Sequence, residues 1–182
     1  MALRNTNGLS INPINPPIGV GNILKKVSPI KQEKGEWCWA ACAVMVLRHY
    51  DDKEVQQCHL AKLFFPSANC CDLSSPSCNT SCKVGDVRAI YQIKGIRCIP
   101  SSGSVPFNIL QTEIDAGRPV EVYLSRGLNG HLIIIRGWYI NGADLYALVI
   151  DPINGGHGAV AYTYLLNGKF GIWAATWTGL RR

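Results

Sequence analysis

Residues 37 to 50, WCWAACAVMVLRHY, are apolar almost all the way round and rich in alanine. A helix on this stretch has no wide polar face to turn to water, so the rest of the chain must enclose it. The 182-residue chain is therefore read as a compact domain built around one buried helix, large enough to bury about two-thirds of its unfolded surface. Apolar residues make up 47% and charged residues 16%, which excludes a disordered chain. The 18 glycines and 10 prolines are spread throughout and exclude a coiled coil. No apolar run approaches the roughly 20 residues that span a bilayer.

The remaining pattern falls into two halves. Residues 53 to 64 read as a second helix, led by Asp51 and Asp52 and stopped by Pro66. Residues 67 to 83 are a polar, cysteine-bearing loop. A third helix is expected from Asp86 to Lys94, ending at Gly95, and a fourth from Pro106 to Ala116, with Ser104 ahead of it and Gly117 beyond. The runs 119–124, 131–139, 144–150 and 159–166 are rich in β-branched and aromatic residues and are separated by glycine turns, so they read as strands. Helices first and antiparallel strands second give an α+β layout, one layer around the buried helix and the other a sheet.

Residues 1–30 hold no acid and four of the ten prolines, and read as an extended leader or linker, laid over the body or partly disordered; the body is 31–182. Asn5, Asn7, Asn12 and Asn15 interrupt any apolar core there, so it is not a classical signal peptide. The net charge of +6 comes from basic residues scattered singly or in pairs, a solvated surface with no stripe for nucleic acid.

Cys38 begins the buried helix, where the positive end of the helix dipole favours thiolate over thiol. Cys42, one turn deeper, reads as an inert core thiol. A thiolate nucleophile needs a base. Of the four histidines, His131 follows Asn129-Gly130 and opens the apolar run Leu132–Ile135, which places a rigid polar ring at the mouth of a strand. If Asn141-Gly142 forms a two-residue turn, His131 lies opposite Pro152 with Asp151 beside it; a one-residue slip sets it opposite Asp151. Either way a carboxylate reaches the imidazole and fixes its tautomer. Asn154 is the alternative orienting residue. Gln32, six residues before Cys38, stands where its amide and the Cys38 N–H could both donate to an oxyanion.

Gln32 followed by Glu36-Trp37-Cys38-Trp39-Ala40-Ala41 resembles the nucleophile segment of papain-like cysteine proteases, and more closely the bacterial branch that includes the avirulence proteases of plant pathogens. The double-glycine leader peptidases of bacteriocin exporters are more distant relatives. Gln57-Cys58, Cys70-Cys71, Cys78-Asn79, Glu113–Val120, Gly130-His131, Asp151-Pro152 and the stretch from Tyr162 to Trp177 also fit, so the resemblance runs from about residue 30 to 178. It implies the two-layer papain-like fold, with the nucleophile helix packed on a C-terminal antiparallel sheet. It implies Cys38 as nucleophile, His131 as base and acid, Asp151 orienting His131, and Gln32 in the oxyanion hole, with no cofactor and no metal. The substrate would be a protein or peptide. The same triad also serves acyl transfer or glutamine deamidation, and a disulfide-stapled binding module on an inactive scaffold is the non-enzymatic alternative.

Of the eight cysteines, Cys58, Cys70, Cys71, Cys78, Cys82 and Cys98 remain as a set of staples around the 67–83 loop, in pairings the sequence does not choose. A zinc site in the Cys70–Cys82 cluster is the rival, but it lacks a CxxC pair. Bridges imply an oxidising compartment. With no signal peptide, the expectation is an effector or toxin, secreted or delivered into a target cell by a dedicated bacterial secretion system and restrained by an inhibitor or immunity protein.

Overall fold

The computed structural model describes residues 19–127 and 129–182. Residues 1–18, most of the expected leader, lie outside them. The chain runs through β1 (Val20–Ile23), α1 (Cys38–His49), α2 (Gln57–Phe64), a 3-10 turn (Pro76–Cys78), α3 (Val84–Ile93), β2 (Arg97–Ser102), α4 (Phe107–Asp115), β3 (Val120–Arg126), β4 (Asn129–Asn141), β5 (Asp144–Asp151), β6 (Gly156–Ala161), α5 (Tyr162–Leu166) and β7 (Ile172–Arg181). The antiparallel sheet is ordered β2-β7-β3-β4-β5-β6, and β1 pairs with the far half of β4. The fold is α+β and papain-like. Among the described residues no helix is long and apolar enough to cross a membrane.

Helix α1 is buried without a break from Trp39 to Leu47. It packs with α2 and α3 residues against one face of the sheet, represented by Ile134, Ile150, Trp177 and Leu180. The other face carries Val122, Leu124, Ile133, Ile135 and Val149, covered by Leu110 and Ile114 of α4 and Leu165 of α5. Successive β4 residues thus enter opposite cores, which explains the unbroken apolar run after His131. Each such side chain contributes about 1.5–3 kcal/mol on burial, and together they fix the register that holds His131.

Several elements differ from the sequence reading. Asp51 and Asp52 end α1 rather than start α2: Asp51 is left-handed (φ 69°) and the Asp52 N–H returns to the Leu47 carbonyl at 3.0 Å. The last expected strand stops at Ala161. Tyr162 and Leu165, three apart and both buried, turn the next residues into α5. Strands β1 and β2 carry no alternation, since their residues are almost all exposed, and no periodicity marks them. Residues 20–23 lie on the sheet as β1, and Val27 is fully buried.

The β4–β5 turn is Gly142-Ala143, with Asn141 paired to Asp144, and the ladder slips by one between Ile135 and Gly137. Beyond the slip Ile134 pairs with Ile150. Continued one step, this register sets Asp151 opposite Ile133, two residues along from His131. The expected pairing of His131 with Pro152 or Asp151 is therefore replaced by a diagonal one.

Two disulfides form, Cys58–Cys71 and Cys70–Cys78. Both staple the polar loop, and the adjacent Cys70 and Cys71 take different partners. The expected third bridge is absent: Cys82 and Cys98 are free, as are Cys38 and Cys42. Cys98 sits on edge strand β2, while Cys82 follows the stapled segment.

Candidate active site

Helix α1 starts after a tight turn in which the Trp37 N–H donates to the Lys34 carbonyl at 3.1 Å. The first residue of the helix is Cys38, and no side chain caps the end. Its leading N–H groups are left to meet an anion. The flanking tryptophans are both anchored to the stapled loop: Trp37 Nε1 donates to the Cys78 carbonyl (2.6 Å) and Trp39 Nε1 to the Thr80 carbonyl (3.1 Å). The nearly buried Lys34 ammonium donates to the Asp72 (2.9 Å) and Ser75 carbonyls. Sequence reasoning missed Lys34, because a lysine in a polar stretch reads as solvated.

His131 is 4% exposed and Asp151 fully buried. His131 Nε2–H donates to Asp151 Oδ1 at 2.7 Å. The same carboxylate oxygen accepts from the Ile153 N–H at 2.9 Å, which fixes its direction. Asn154 is engaged elsewhere, accepting from the Gly156 N–H at 2.7 Å. The Cys38 thiol is close enough to the His131 ring to act on its charge. With Nε2 given to Asp151, Nδ1 is the ring nitrogen that remains. Burial works against protonation of His131, but the bonds to Asp151 and Cys38 outweigh it and carry its pKa up to about 9. Just before it, Gly130 lies against the Tyr123 ring, where a Cβ would come within 2.0 Å of the ring carbons. A side chain there would force the Tyr123 ring to move.

Gln32 reaches the site from a different segment. Its backbone N–H donates to the Pro152 carbonyl at 2.7 Å, tying it to the turn after Asp151. Its Nε2 donates to the Gly35 carbonyl at 2.6 Å and the Lys34 carbonyl at 3.0 Å. Its Oε1 is buried and has no hydrogen-bond partner among the described residues. Of the other histidines, His49 contacts the Gly117 carbonyl at 2.8 Å near the far end of α1, and His59 and His157 are exposed.

One further group bears on the zinc alternative. The sulfurs of Cys58 and Cys71 and a ring nitrogen of His59 lie within 4.8 Å of one another. The two sulfurs are bonded to each other, so neither offers a thiolate to a metal.

The model of the Peptidase_C39 like family matches residues 24–181. The chain belongs to that family, which supports a function of the cysteine-peptidase type. A search of curated proteins returned no match.

Proposed function

We propose that this chain is a papain-like cysteine protease that hydrolyses peptide bonds of a protein target. The observation that carries the reading is the buried His131–Asp151 bond of 2.7 Å, in a chain whose Cys38 opens an uncapped helix and acts on the charge of the same ring. A His131 pKa of about 9 keeps the ring an imidazolium at neutral pH, the partner a thiolate nucleophile needs. The Cys38 sulfur attacks the scissile carbonyl carbon, and the C=O π pair moves onto oxygen. His131 gives its proton to the leaving amine, and the amide bond breaks to a thioester. Neutral His131 then takes a proton from water, which adds to the thioester, and the acid leaves as the thiolate is restored.

The developing oxyanion accepts from the Cys38 N–H and from Gln32 Nε2. The shorter Gln32 bond, to Gly35, keeps the amide in place. The longer one, to Lys34, is the bond the oxyanion replaces.

The two disulfides support work in an oxidising compartment. Export as an effector or toxin through a dedicated bacterial secretion system, with an inhibitor protein in the producing cell, is part of the same proposal. The test is exposure of a target-cell lysate to the protein and to its Cys38→Ala variant, with mass spectrometry of the products. New chain termini that vanish with Cys38→Ala support proteolysis. A one-dalton gain on glutamine or a new amide cross-link would assign the site to deamidation or acyl transfer instead. Unchanged activity in Cys38→Ala would overturn the reading.

A further inference from the structure

Gln57 is the first residue of α2 and is 2% exposed. Its side-chain amide makes both of its hydrogen bonds to another segment. Oε1 accepts from the Glu33 N–H at 3.0 Å, and Nε2 donates to the Lys31 carbonyl at 2.8 Å. The residue between those two is Gln32. On the opposite side, the Gln32 N–H donates to the Pro152 carbonyl at 2.7 Å. Residues 31–33 are thus gripped from both sides. The turn after Asp151 supplies one grip, and a side-chain amide imitating a neighbouring strand's peptide supplies the other.

A buried amide is costly unless both its ends are bonded, and packing alone would be served as well by leucine. What the amide does that leucine cannot is hold two specific main-chain groups either side of Gln32. We propose that Gln57 is a positioning residue that sets the Gln32 amide where the oxyanion forms. The proposal rests on the protease reading. Its physical basis is that displacements of about 1 Å in a catalytic constellation are enough to cost rate.

The test is a double-mutant cycle on Gln32→Ala and Gln57→Leu, read with N-acetyl-phenylalanyl-glycinal. The Cys38 sulfur adds to the aldehyde carbon, and the π pair moves onto an oxygen that occupies the oxyanion position. Iodoacetamide alkylation of Cys38, which forms no oxyanion, is the control. Gln57→Leu should weaken aldehyde binding about 10- to 100-fold, less than outright loss of a donor can cost, and leave the alkylation rate unchanged. The double variant should bind no more weakly than Gln32→Ala alone.

If Gln57→Leu lowers the folded yield, Gln57→Glu, which keeps the volume and the acceptor, is read the same way. Losses that multiply in the double variant, or an alkylation rate that falls in step, overturn the role of Gln57. A wild-type protein whose Cys38 is alkylated but takes no aldehyde overturns the oxyanion and protease readings beneath it.

Discussion

His131 near the start of β4 and Asp151 at the end of β5 meet at 2.7 Å from diagonal positions of the ladder, not from opposed ones. The one-residue slip after Ile135 sets this offset. It brings the carboxylate to Nε2 and leaves Nδ1 unengaged by Asp151, as the proposed nucleophile requires. Turn, slip and charge pair act as one unit.

The charge pair predicts a pH profile. The His131 pKa is raised from 6.5 to about 9. The protonated ring is therefore favoured in the folded state, and its contribution is full below about 6.5 and lost as pH rises through about 9. If His131 is the proposed general acid, its imidazolium is lost over the same upper range, and kcat/KM should fall as pH passes about 9. Asp151→Asn keeps an acceptor but removes the charge, and should move that limb to lower pH. Asp151→Ala also loses the orientation and should cost a further 10²-fold or so in kcat. Steady-state kinetics from pH 5 to 10 check this; an upper limb unmoved in Asp151→Asn contradicts it.

A second carboxyl, outside the chemistry, controls stability. Glu121 is fully buried; Tyr91 donates to its Oε2 at 2.6 Å, and its Oε1 has no hydrogen-bond partner among the described residues. Burial pushes its pKa from 4.5 up to about 8, against the opposing Tyr91 bond. The folded pKa lies above the unfolded one, so the stabilisation present below pH 4.5 is lost between 4.5 and about 8. Glu121→Gln removes that loss. Its Tm should match wild type near pH 4.5 and exceed it by several degrees at pH 8. Parallel Tm curves across that range would contradict the assignment.

The disulfides predict a link between stability and activity. The Cys70–Cys78 bridge closes a loop whose carbonyls hold Trp37 and Lys34. Cys70→Ser with Cys78→Ser should cost about 2–4 kcal/mol of stability. It should also lower turnover at temperatures where the variant is still folded, because the anchors before Cys38 loosen. Denaturant melts and activity at 20 °C check both; a destabilised variant with full turnover would show that the loop does not position the nucleophile.

The parts of this fold that were legible from sequence are those where one residue type has one physical use. The apolar ring of residues 37–50 admits only a buried helix, and the sequence also places Cys38, His131 and Asp151 near element ends, where the structure has them and joins the last two. What was hidden depended on partners. Nothing local separates the buried Lys34 from a solvated lysine, since three carbonyls from residues 72–75 make the difference. Gln57 was seen only as part of a resemblance, and its work is visible only where Lys31 and Glu33 come alongside. The edge strands β1 and β2 lack a buried face, so alternation could not mark them. The YTYLL segment has strand composition, but the burial of Tyr162 and Leu165 made it helical.

Cys38, as the proposed nucleophile, should owe its reactivity to His131. Burial pushes the thiols of Cys42, Cys82 and Cys98 upward, which makes them slow competitors. The most direct measurement is the iodoacetamide alkylation rate at each free cysteine at pH 7, by mass spectrometry, in wild type and His131→Ala. Cys38 should react fastest, at least about tenfold ahead of the other three, and should lose that lead in His131→Ala. Equal rates at Cys38 and Cys82, or a Cys38 rate indifferent to His131, would contradict the account.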